Sequence, residues 1–167
     1  MKYLILIIFV FLFDQFSKIS IKNYWIDNNL ISGYDSISII GDYLRFVFIE
    51  NPGIAFGINP GKPIVLTILT FVIIFFLFFY LKDLIMKGSS ESLPISFILG
   101  GAIGNAFDRL LTLFPKLNYR GVIDFIDLGY SDCYYCRWYI FNIADLSISI
   151  GLIIIIYQSF FLKKTIE

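Results

Sequence analysis

The chain has 167 residues, of which 58% are hydrophobic and 19% aromatic, whereas only 16% are charged. Soluble domains average roughly 45–50% apolar and about 25% charged residues, so this composition indicates a membrane protein. The formal net charge is zero, which gives no indication that nucleic acid is a partner. Histidine is absent, and this excludes histidine-containing catalytic triads and zinc sites of the HExxH type.

Four segments of the chain are apolar enough to form membrane-spanning helices, each of which needs about 20 residues. They comprise residues 3–21, 64–81, 93–113 and 141–162. We therefore predict a membrane all-α bundle of four transmembrane helices, formed by residues 1–167 as a single domain. No small-residue cleavage site follows the first segment, and for this reason we interpret it as a retained helix instead of a secretory signal.

The loops between these segments differ in length and in the density of basic residues. An even number of spans places both termini and the short loop 82–92 on the same side of the membrane. That side carries a concentration of lysines, namely Lys2, Lys82, Lys87, Lys163 and Lys164. Because cytoplasmic loops carry an excess of basic residues, we predict that both termini are cytoplasmic. The long loops 22–63 and 114–140 then lie outside.

The first long loop contains a strand-like pattern. Residues 36–49, which read SISIIGDYLRFVFI, alternate in polarity and are interrupted by a turn signal at Gly41 and Asp42. Such a pattern is typical of two short strands joined by a tight turn. We therefore expect a small extracytoplasmic β-sheet, which with the loops forms a cradle at the outer membrane interface.

The first and last apolar segments carry polar side chains at helical spacing. Asp14 and Lys18 lie four residues apart and share one helix face, where they form either a functional pair or an inert ion pair near the helix end. Asn142, Asp145 and Ser149 share a face of the last segment in the same way. Polar groups in hydrocarbon must meet one another or line a water-filled cavity, so these faces are expected to converge.

The third segment combines a polar face with close-packing glycines. Asn105, Asp108 and Arg109 are spaced so that they share one face of a helix. Snorkelling to the interface would account for Arg109 alone, but not for three polar groups on the same face. Gly100 and Gly104 form a small-xxx-small pair, which lets a neighbouring helix approach closely.

Two aspartates lie beside the most apolar parts of the chain. Asp124 stands in the sequence VIDFI after the third segment, and Asp145 precedes a long isoleucine-rich run. A carboxylate next to hydrocarbon is expensive to keep charged, so such acids indicate a functional site, and two of them suggest acid–base chemistry. Asp127 competes with Asp124 for this role. Because a polar, turn-like run follows Asp127, we expect it to be a solvated loop acid.

Five blocks of the sequence resemble, in order and position, those of the lipoprotein signal peptidases (signal peptidase II). They read DQFSK from residue 14, NPGIAFG from 51, GGAIGNAFDR from 100, VIDFI from 122 and FNIAD from 141. The resemblance covers nearly the whole chain. It implies that Asp124 and Asp145 form a catalytic dyad. It also implies a set of residues around the dyad or the substrate, namely Asp14, Lys18, Asn51, Gly53, Asn105, Arg109 and Asn142.

The activity implied by this resemblance is that of a membrane aspartyl endopeptidase. Its substrates would be prolipoproteins whose lipobox cysteine carries a diacylglyceryl group, and cleavage just before this cysteine would release the signal peptide. The implied location is the bacterial cytoplasmic (inner) membrane, with the active site near the outer face. The implied enzyme contacts membrane lipid, works as a monomer, and needs no metal or organic cofactor.

Two functions from other classes remain as alternatives. Cys133 and Cys136 form a CxxC motif, which is typical of membrane thiol-disulfide oxidoreductases. However, the chain has no second cysteine pair for relaying electrons. A proton-coupled transporter would use the charged side chains of the spans. Four spans without an internal repeat would make a minimal transporter, and both alternatives leave the five sequence blocks unexplained.

Overall fold

The computed structural model describes residues 1–53, 63–130 and 137–162. The prediction for Cys133 and Cys136 therefore lies outside the described residues. The chain divides into two compact units, each assembled from separate stretches. The helical unit comprises Met1–Asp14, Ile68–Ala106 and Ile143–Glu167, and the sheet unit comprises Gln15–Thr67 and Phe107–Asn142.

Four long helices follow the four predicted segments. Their bounds are Lys2–Asp27 (α1), Pro63–Met86 (α2), Ser92–Leu111 (α3) and Ile143–Tyr157 (α4), and α4 continues as a π-helix over Gln158–Leu162. The first two extend beyond the predicted ends at residues 21 and 81. The prediction stopped where the apolar run stops, whereas a helix can continue through polar residues because its backbone hydrogen bonds are internal.

Among the described residues, three helices are long and apolar enough to cross a membrane. These are α1, α2 from Ile64, and α4 with its π-helical extension to Phe161. The third helix is not in this set, although its 20 residues are sufficient in length. Glycines, serines and the charged pair Asp108 and Arg109 make α3 more polar than α2 and α4.

The helical unit has an aliphatic core. Buried residues of α1, α2 and α3 meet there, namely Ile7, Leu81, Leu84, Ile95 and Leu99. The rest of α2 is apolar on its exposed faces too, where large side chains such as Phe75, Phe76 and Phe79 lie on the surface. A helix that is apolar all round belongs in a nonpolar solvent, so these faces are suited to lipid.

Glycines allow the backbone of α3 to approach its neighbours within the helical unit. A Cβ atom added to Gly100 would lie 2.9 Å from the Cβ of Val10 in α1. One added to Gly101 would overlap the carbonyl of Ala144 in α4, and one added to Gly104 would lie 3.3 Å from the Ala144 Cβ. The predicted close approach at Gly100 and Gly104 is therefore confirmed, and α3 contacts both α1 and α4.

The sheet unit contains three antiparallel strands in the order β1-β2-β3. Strands β1 (Ser36–Ile40) and β2 (Leu44–Asn51) confirm the predicted pair, and their turn contains Gly41 at φ +49°. Glycine adopts this left-handed conformation without a steric penalty. The third strand, β3 (Val122–Leu128), was not predicted. Asp124 therefore lies in a β-strand, whereas the sequence analysis placed it within the long loop 114–140.

The prediction that Asp127 is a solvated loop acid is wrong. Asp127 lies on β3 and is only 7% exposed. Both of its carboxylate oxygens accept hydrogen bonds from Nε of Arg137, at 2.8 and 2.9 Å. Arg137 also forms an isolated bridge with Gly129, so the returning chain lies against the end of β3. Burial of Asp127 is possible because this arginine compensates its charge.

Candidate active site

The register of the sheet places Asn51 next to Asp124. Phe46 lies opposite Ile126, whereas Ile49 lies opposite Asp124. Three steps along β2 thus match two steps along β3, which is a β-bulge. Side chains alternate between the two faces of a strand, so the extra residue moves everything after it to the other face. As a result, Asn51 is on the same face as Asp124, at the diagonal position where side chains can meet.

Asp124 accepts hydrogen bonds from two amide side chains in the sheet unit. Asn142 donates through Nδ2 to Oδ1 of Asp124 at 2.6 Å, and Asn51 donates through Nδ2 to Oδ2 at 3.1 Å. Asn142 also donates to the carbonyl of Ile123 at 3.2 Å. Asp124 is 5% exposed and Asn142 is completely buried. A buried carboxylate is stable only when donors replace its lost water, and these two amides provide such donors.

Backbone contacts fix both of these asparagines. The N–H of Gly53 donates to Oδ1 of Asn51 at 3.0 Å, and this assigns the Nδ2 end of the amide to Asp124. Phe141, which precedes Asn142, bonds to the free edge of β3: its carbonyl accepts from the N–H of Ile126 at 2.8 Å. The predicted residues Asn51, Gly53 and Asn142 are therefore brought together around Asp124.

Asp145 is held in the helical unit by a residue of α3. It lies in the first turn of α4, and its Oδ1 accepts a hydrogen bond of 2.7 Å from Nδ2 of Asn105. The sequence analysis expected the polar helix faces to converge, and this contact joins the polar face of α3 to that of α4. Each of the two proposed acids thus has asparagine as a partner.

Asp14 lies at the amino-terminal end of α4 within the helical unit. Its Oδ1 accepts the backbone N–H of Ala144 at 2.9 Å, and the residue is completely buried. The first N–H groups of a helix have no partners within the helix, and the helix dipole favours negative charge at this end. Asp14 therefore provides an acceptor for an N–H group in the first turn of the helix that carries Asp145.

The predicted residue Lys18 belongs to a second buried network, in the sheet unit. Its Nζ lies 2.9 Å from Oδ2 of Asp108, and both side chains are 1% exposed. Gln15 donates to Oδ1 of Asp108 at 3.1 Å, and the N–H of Ile123 donates to Oδ2 at 3.1 Å. The sequence analysis assigned Asp108 to a polar helix face but did not include it or Gln15 among the site residues.

Arg109 lines a small cleft in the sheet unit. The cleft is bordered by polar and apolar groups of several segments, namely Asn51, Pro52, Leu66, Arg109, Thr112, Arg120 and Gly121. The carbonyl of Arg109 accepts the hydroxyl of Thr112 at 2.7 Å. Arg120 was not predicted as a site residue, since a lone loop arginine carries no signal of its own.

A cationic group lies beside the end of β2 that carries Asn51. Nζ of Lys22 lies 3.6 Å from the centre of the Tyr119 ring and 3.3 Å from Oε1 of Glu50. Burial raises the pKa of the Tyr119 phenol above its usual value, and the negative charges of Asp108 and Glu50 raise it further. Tyr119 is therefore neutral at physiological pH, and its ring makes a cation–π contact with Lys22.

The side chains that contact the two acids are hydrogen-bond donors. Within residues 1–53, 63–130 and 137–162, no group of three or more acidic side chains is arranged to hold a metal ion. Instead, amide side chains donate to the carboxylates of Asp124 and Asp145. Carboxyl groups with fixed orientations are the groups that aspartic proteases use for general acid–base catalysis.

Comparison with known proteins identifies relatives over most of the chain. A bacterial protein from Wigglesworthia glossinidia brevipalpis is 39% identical over 159 residues, covering 92% of this chain and 91% of the relative. One from Clostridium tetani is 38% identical over 155 residues, covering 92% and 88%. Both relatives are named lipoprotein signal peptidase.

The fold also matches a solved structure. A bacterial membrane enzyme determined by the in meso method superposes with a TM-score of 0.72 at 34% sequence identity, and the match covers 99% of this chain and 90% of that enzyme. The family model described as signal peptidase (SPase) II matches residues 6–161. The chain is therefore a bacterial membrane peptidase that belongs to the signal peptidase II family.

Proposed function

We propose that this protein removes signal peptides from prolipoproteins, with Asp124 and Asp145 as the catalytic pair. Membership of the signal peptidase II family and the names of its relatives support the activity. The observation that carries the catalytic assignment is the amide partnership of both acids. Asn51 and Asn142 donate to Asp124, and Asn105 donates to Asp145. Asn142 is also only three residues before Asp145 in the chain.

In the proposed mechanism one carboxyl group is ionised and the other is protonated, as in aspartic proteases. The ionised group removes a proton from water, and the water oxygen attacks the scissile carbonyl. The protonated group donates a hydrogen bond to that carbonyl and later supplies a proton to the departing amine. Either residue can take either part, so neither Asp124 nor Asp145 is assigned alone as the acid.

The proposed substrate is an extended peptide that ends at a diacylglyceryl-modified cysteine. An extended segment exposes unpaired backbone amides, which are costly at membrane depth unless polar side chains bind them. Arg109 and Asn51 border a cleft with suitable donors. The exposed apolar faces of the helices, such as the phenylalanines of α2, suit the acyl chains. The proposed enzyme works as a monomer in lipid and without a cofactor.

We further propose that α3 is a fourth span and that residues 1–167 form one peptidase domain. A helix of 20 residues is about 30 Å long, which matches the hydrocarbon thickness. Contacts of α3 with α1 and α4 through glycines support this arrangement. With four spans both termini are cytoplasmic, consistent with the lysines near them, and the catalytic pair acts at the outer face of the membrane.

Replacing either proposed acid tests this function. We expect Asp124→Asn and Asp145→Asn each to lower the cleavage rate by about 10²–10⁴-fold, the usual contribution of general acid–base catalysis. The measurement uses purified protein in detergent with a diacylglyceryl-modified prolipoprotein, and gel separation of the released peptide. Asp127→Asn is the matched control, because Asp127 is a buried acid on the same strand but pairs with Arg137. It should keep the wild-type rate if folded.

A cysteine variant separates the peptidase from the oxidoreductase alternative. We expect replacement of both Cys133 and Cys136 by Ser to leave most of the peptidase activity. An inactive cysteine variant together with fully active Asp124→Asn or Asp145→Asn would overturn the proposed function and favour the oxidoreductase.

A further inference from the structure

Asp108 binds the peptide group that immediately precedes Asp124. The N–H of Ile123 donates to Oδ2 of Asp108 at 3.1 Å, in a fully buried contact. On the other side of the same residue, the carbonyl of Ile123 accepts from Nδ2 of Asn142 at 3.2 Å. Ile123 itself is completely buried. Both polar groups of this residue are therefore held by side chains at the free edge of β3.

The ion pair of Asp108 with Lys18 is difficult to explain by stability alone. Both side chains are 1% exposed, so both charges have lost their water. The desolvation of such a pair often cancels its Coulombic attraction, and apolar replacements can be equally stable. Lys18 and Gln15 instead have a geometric effect: each donates to a different oxygen of Asp108, so the carboxylate has one orientation. In that orientation Oδ2 faces the Ile123 N–H.

We propose that Asp108 is a positioning residue for Asp124 and that Lys18 and Gln15 fix the carboxylate of Asp108 for this purpose. The chain of contacts runs from α1 through Asp108 to the backbone of β3. It determines where the next residue, Asp124, presents its carboxylate. This inference rests on the proposed function of Asp124, and it adds a role for Asp108, which touches neither substrate nor reacting atoms.

Two double variants that carry no charge at positions 18 and 108 test whether the Ile123 N–H needs a hydrogen-bond acceptor. Lys18→Met with Asp108→Asn retains an amide oxygen that can accept the Ile123 N–H, whereas Lys18→Met with Asp108→Ala retains none. Both variants remove the two charges of the Lys18–Asp108 pair together, so they differ only in the acceptor. We expect kcat of the asparagine variant to fall by less than that of the alanine variant, because it keeps the acceptor but loses the lysine that orients it. The alanine variant should lose about tenfold or more in kcat with KM unchanged, as expected for a misplaced catalytic group.

Two further measurements separate positioning from general destabilisation. Hydrogen exchange of the peptide that contains β3 should be faster in the alanine variant than in the asparagine variant. Asp127→Asn, which breaks another ion pair of the same strand, should keep the wild-type kcat. If the alanine variant does not fold, Asp108→Glu retains a charge for Lys18 but displaces the oxygens. Its kcat should fall with KM unchanged.

Equal kcat values for the two double variants would overturn the inference, as would a rise in KM at constant kcat or an equal loss of kcat in Asp127→Asn. Asp124→Asn is measured in the same series. A fully active Asp124→Asn means that the proposed function fails. An inactive Asp124→Asn, together with equal double variants, means that the positioning role of Asp108 fails while the proposed function stands.

Discussion

The two proposed acids are held by different kinds of structure. Asp124 lies in the middle of a β-strand, and its amide partners come from the neighbouring strand and from the segment before α4. Asp145 lies in the first turn of a helix, and its partner Asn105 comes from another helix. A sheet therefore positions one acid through strand register, whereas the other is positioned through helix packing. These two mechanisms respond differently to mutation.

Loss of an amide donor should have a larger effect at Asp124 than at Asp145. We expect Asn142→Ala to lower kcat/KM by about 10²–10³-fold, similar to the loss of an oxyanion-hole donor. Asn142 donates to both the carboxylate and the adjacent carbonyl of Ile123, so its removal affects two contacts. Asn105→Ala should lower kcat/KM by about 10–10²-fold, since a charged hydrogen bond contributes roughly 1.5–3 kcal/mol.

Steady-state cleavage of the lipid-modified substrate measures both variants. Asn28→Ala is the control, because this exposed asparagine donates only to a backbone carbonyl one turn earlier among the contacts the structure gives it. It should behave as wild type. A larger loss in Asn105→Ala than in Asn142→Ala would reverse the proposed difference between strand and helix.

A change in strand geometry should affect Asp124 through Asn51. A Cβ atom at Gly121 would overlap the backbone carbonyl group of Asn51 and lie 2.7 Å from the nitrogen of Pro52. Gly121→Ala therefore forces Asn51 away from its position. We expect kcat to fall by about tenfold, because displacements of about 1 Å in a catalytic site cost up to 10²-fold. Gly129→Ala is the matched control in the same unit.

The control introduces a comparable overlap at the other end of β3. A Cβ atom at Gly129 would lie 2.6 Å from Cγ of Arg137 and 2.7 Å from its Cα. This variant should lose thermal stability but keep its kcat, since Arg137 does not bind Asp124 in the described contacts. Equal losses of kcat in the two glycine variants would show that the sheet responds as a whole, without a specific effect of register.

The polar faces of the helices could be predicted from the sequence, because the face that a residue occupies depends only on its spacing from nearby residues. Residues three or four apart share a face, and this was sufficient to place Asn105 and Asp145 on polar helix faces. The same reasoning placed Asp108 on a polar face, but it could not identify Ile123 as a partner, since that contact joins residues 15 positions apart. Spacing along one helix says nothing about which backbone group lies opposite.

The sheet was only partly predictable, for two physical reasons. Strand β3 has buried residues on both faces, so its sequence lacks the alternation that identified β1 and β2. The bulge in β2 then changes which face Asn51 occupies, and no local signal marks the extra residue. Asp127 was misjudged for a related reason. Its partner Arg137 lies beyond the cysteine segment, so pairing depends on how the chain returns.

The smallest expected effect concerns the start of α4. Asp14→Asn keeps an oxygen that can accept the N–H of Ala144 but removes the charge at the helix end. We expect a loss of about 0.3–1 kcal/mol in the free energy of unfolding, the usual size of a charge–dipole interaction. Asp14→Ala removes the acceptor as well and should lose about 0.5–2 kcal/mol, as for other helix caps.

Thermal unfolding of both Asp14 variants in detergent, followed by circular dichroism, measures this difference. Ser20→Ala is a suitable control on the same helix, because the exposed Ser20 hydroxyl donates to the carbonyl of Phe16 and leaves the helix ends unchanged. If Asp14→Asn were as unstable as Asp14→Ala, the charge at α4 would matter more than the hydrogen bond. The position of Asp145 on α4 would then depend mainly on electrostatics. Asp124 and Asp145 would differ in the interaction that positions them as well as in the element that carries them.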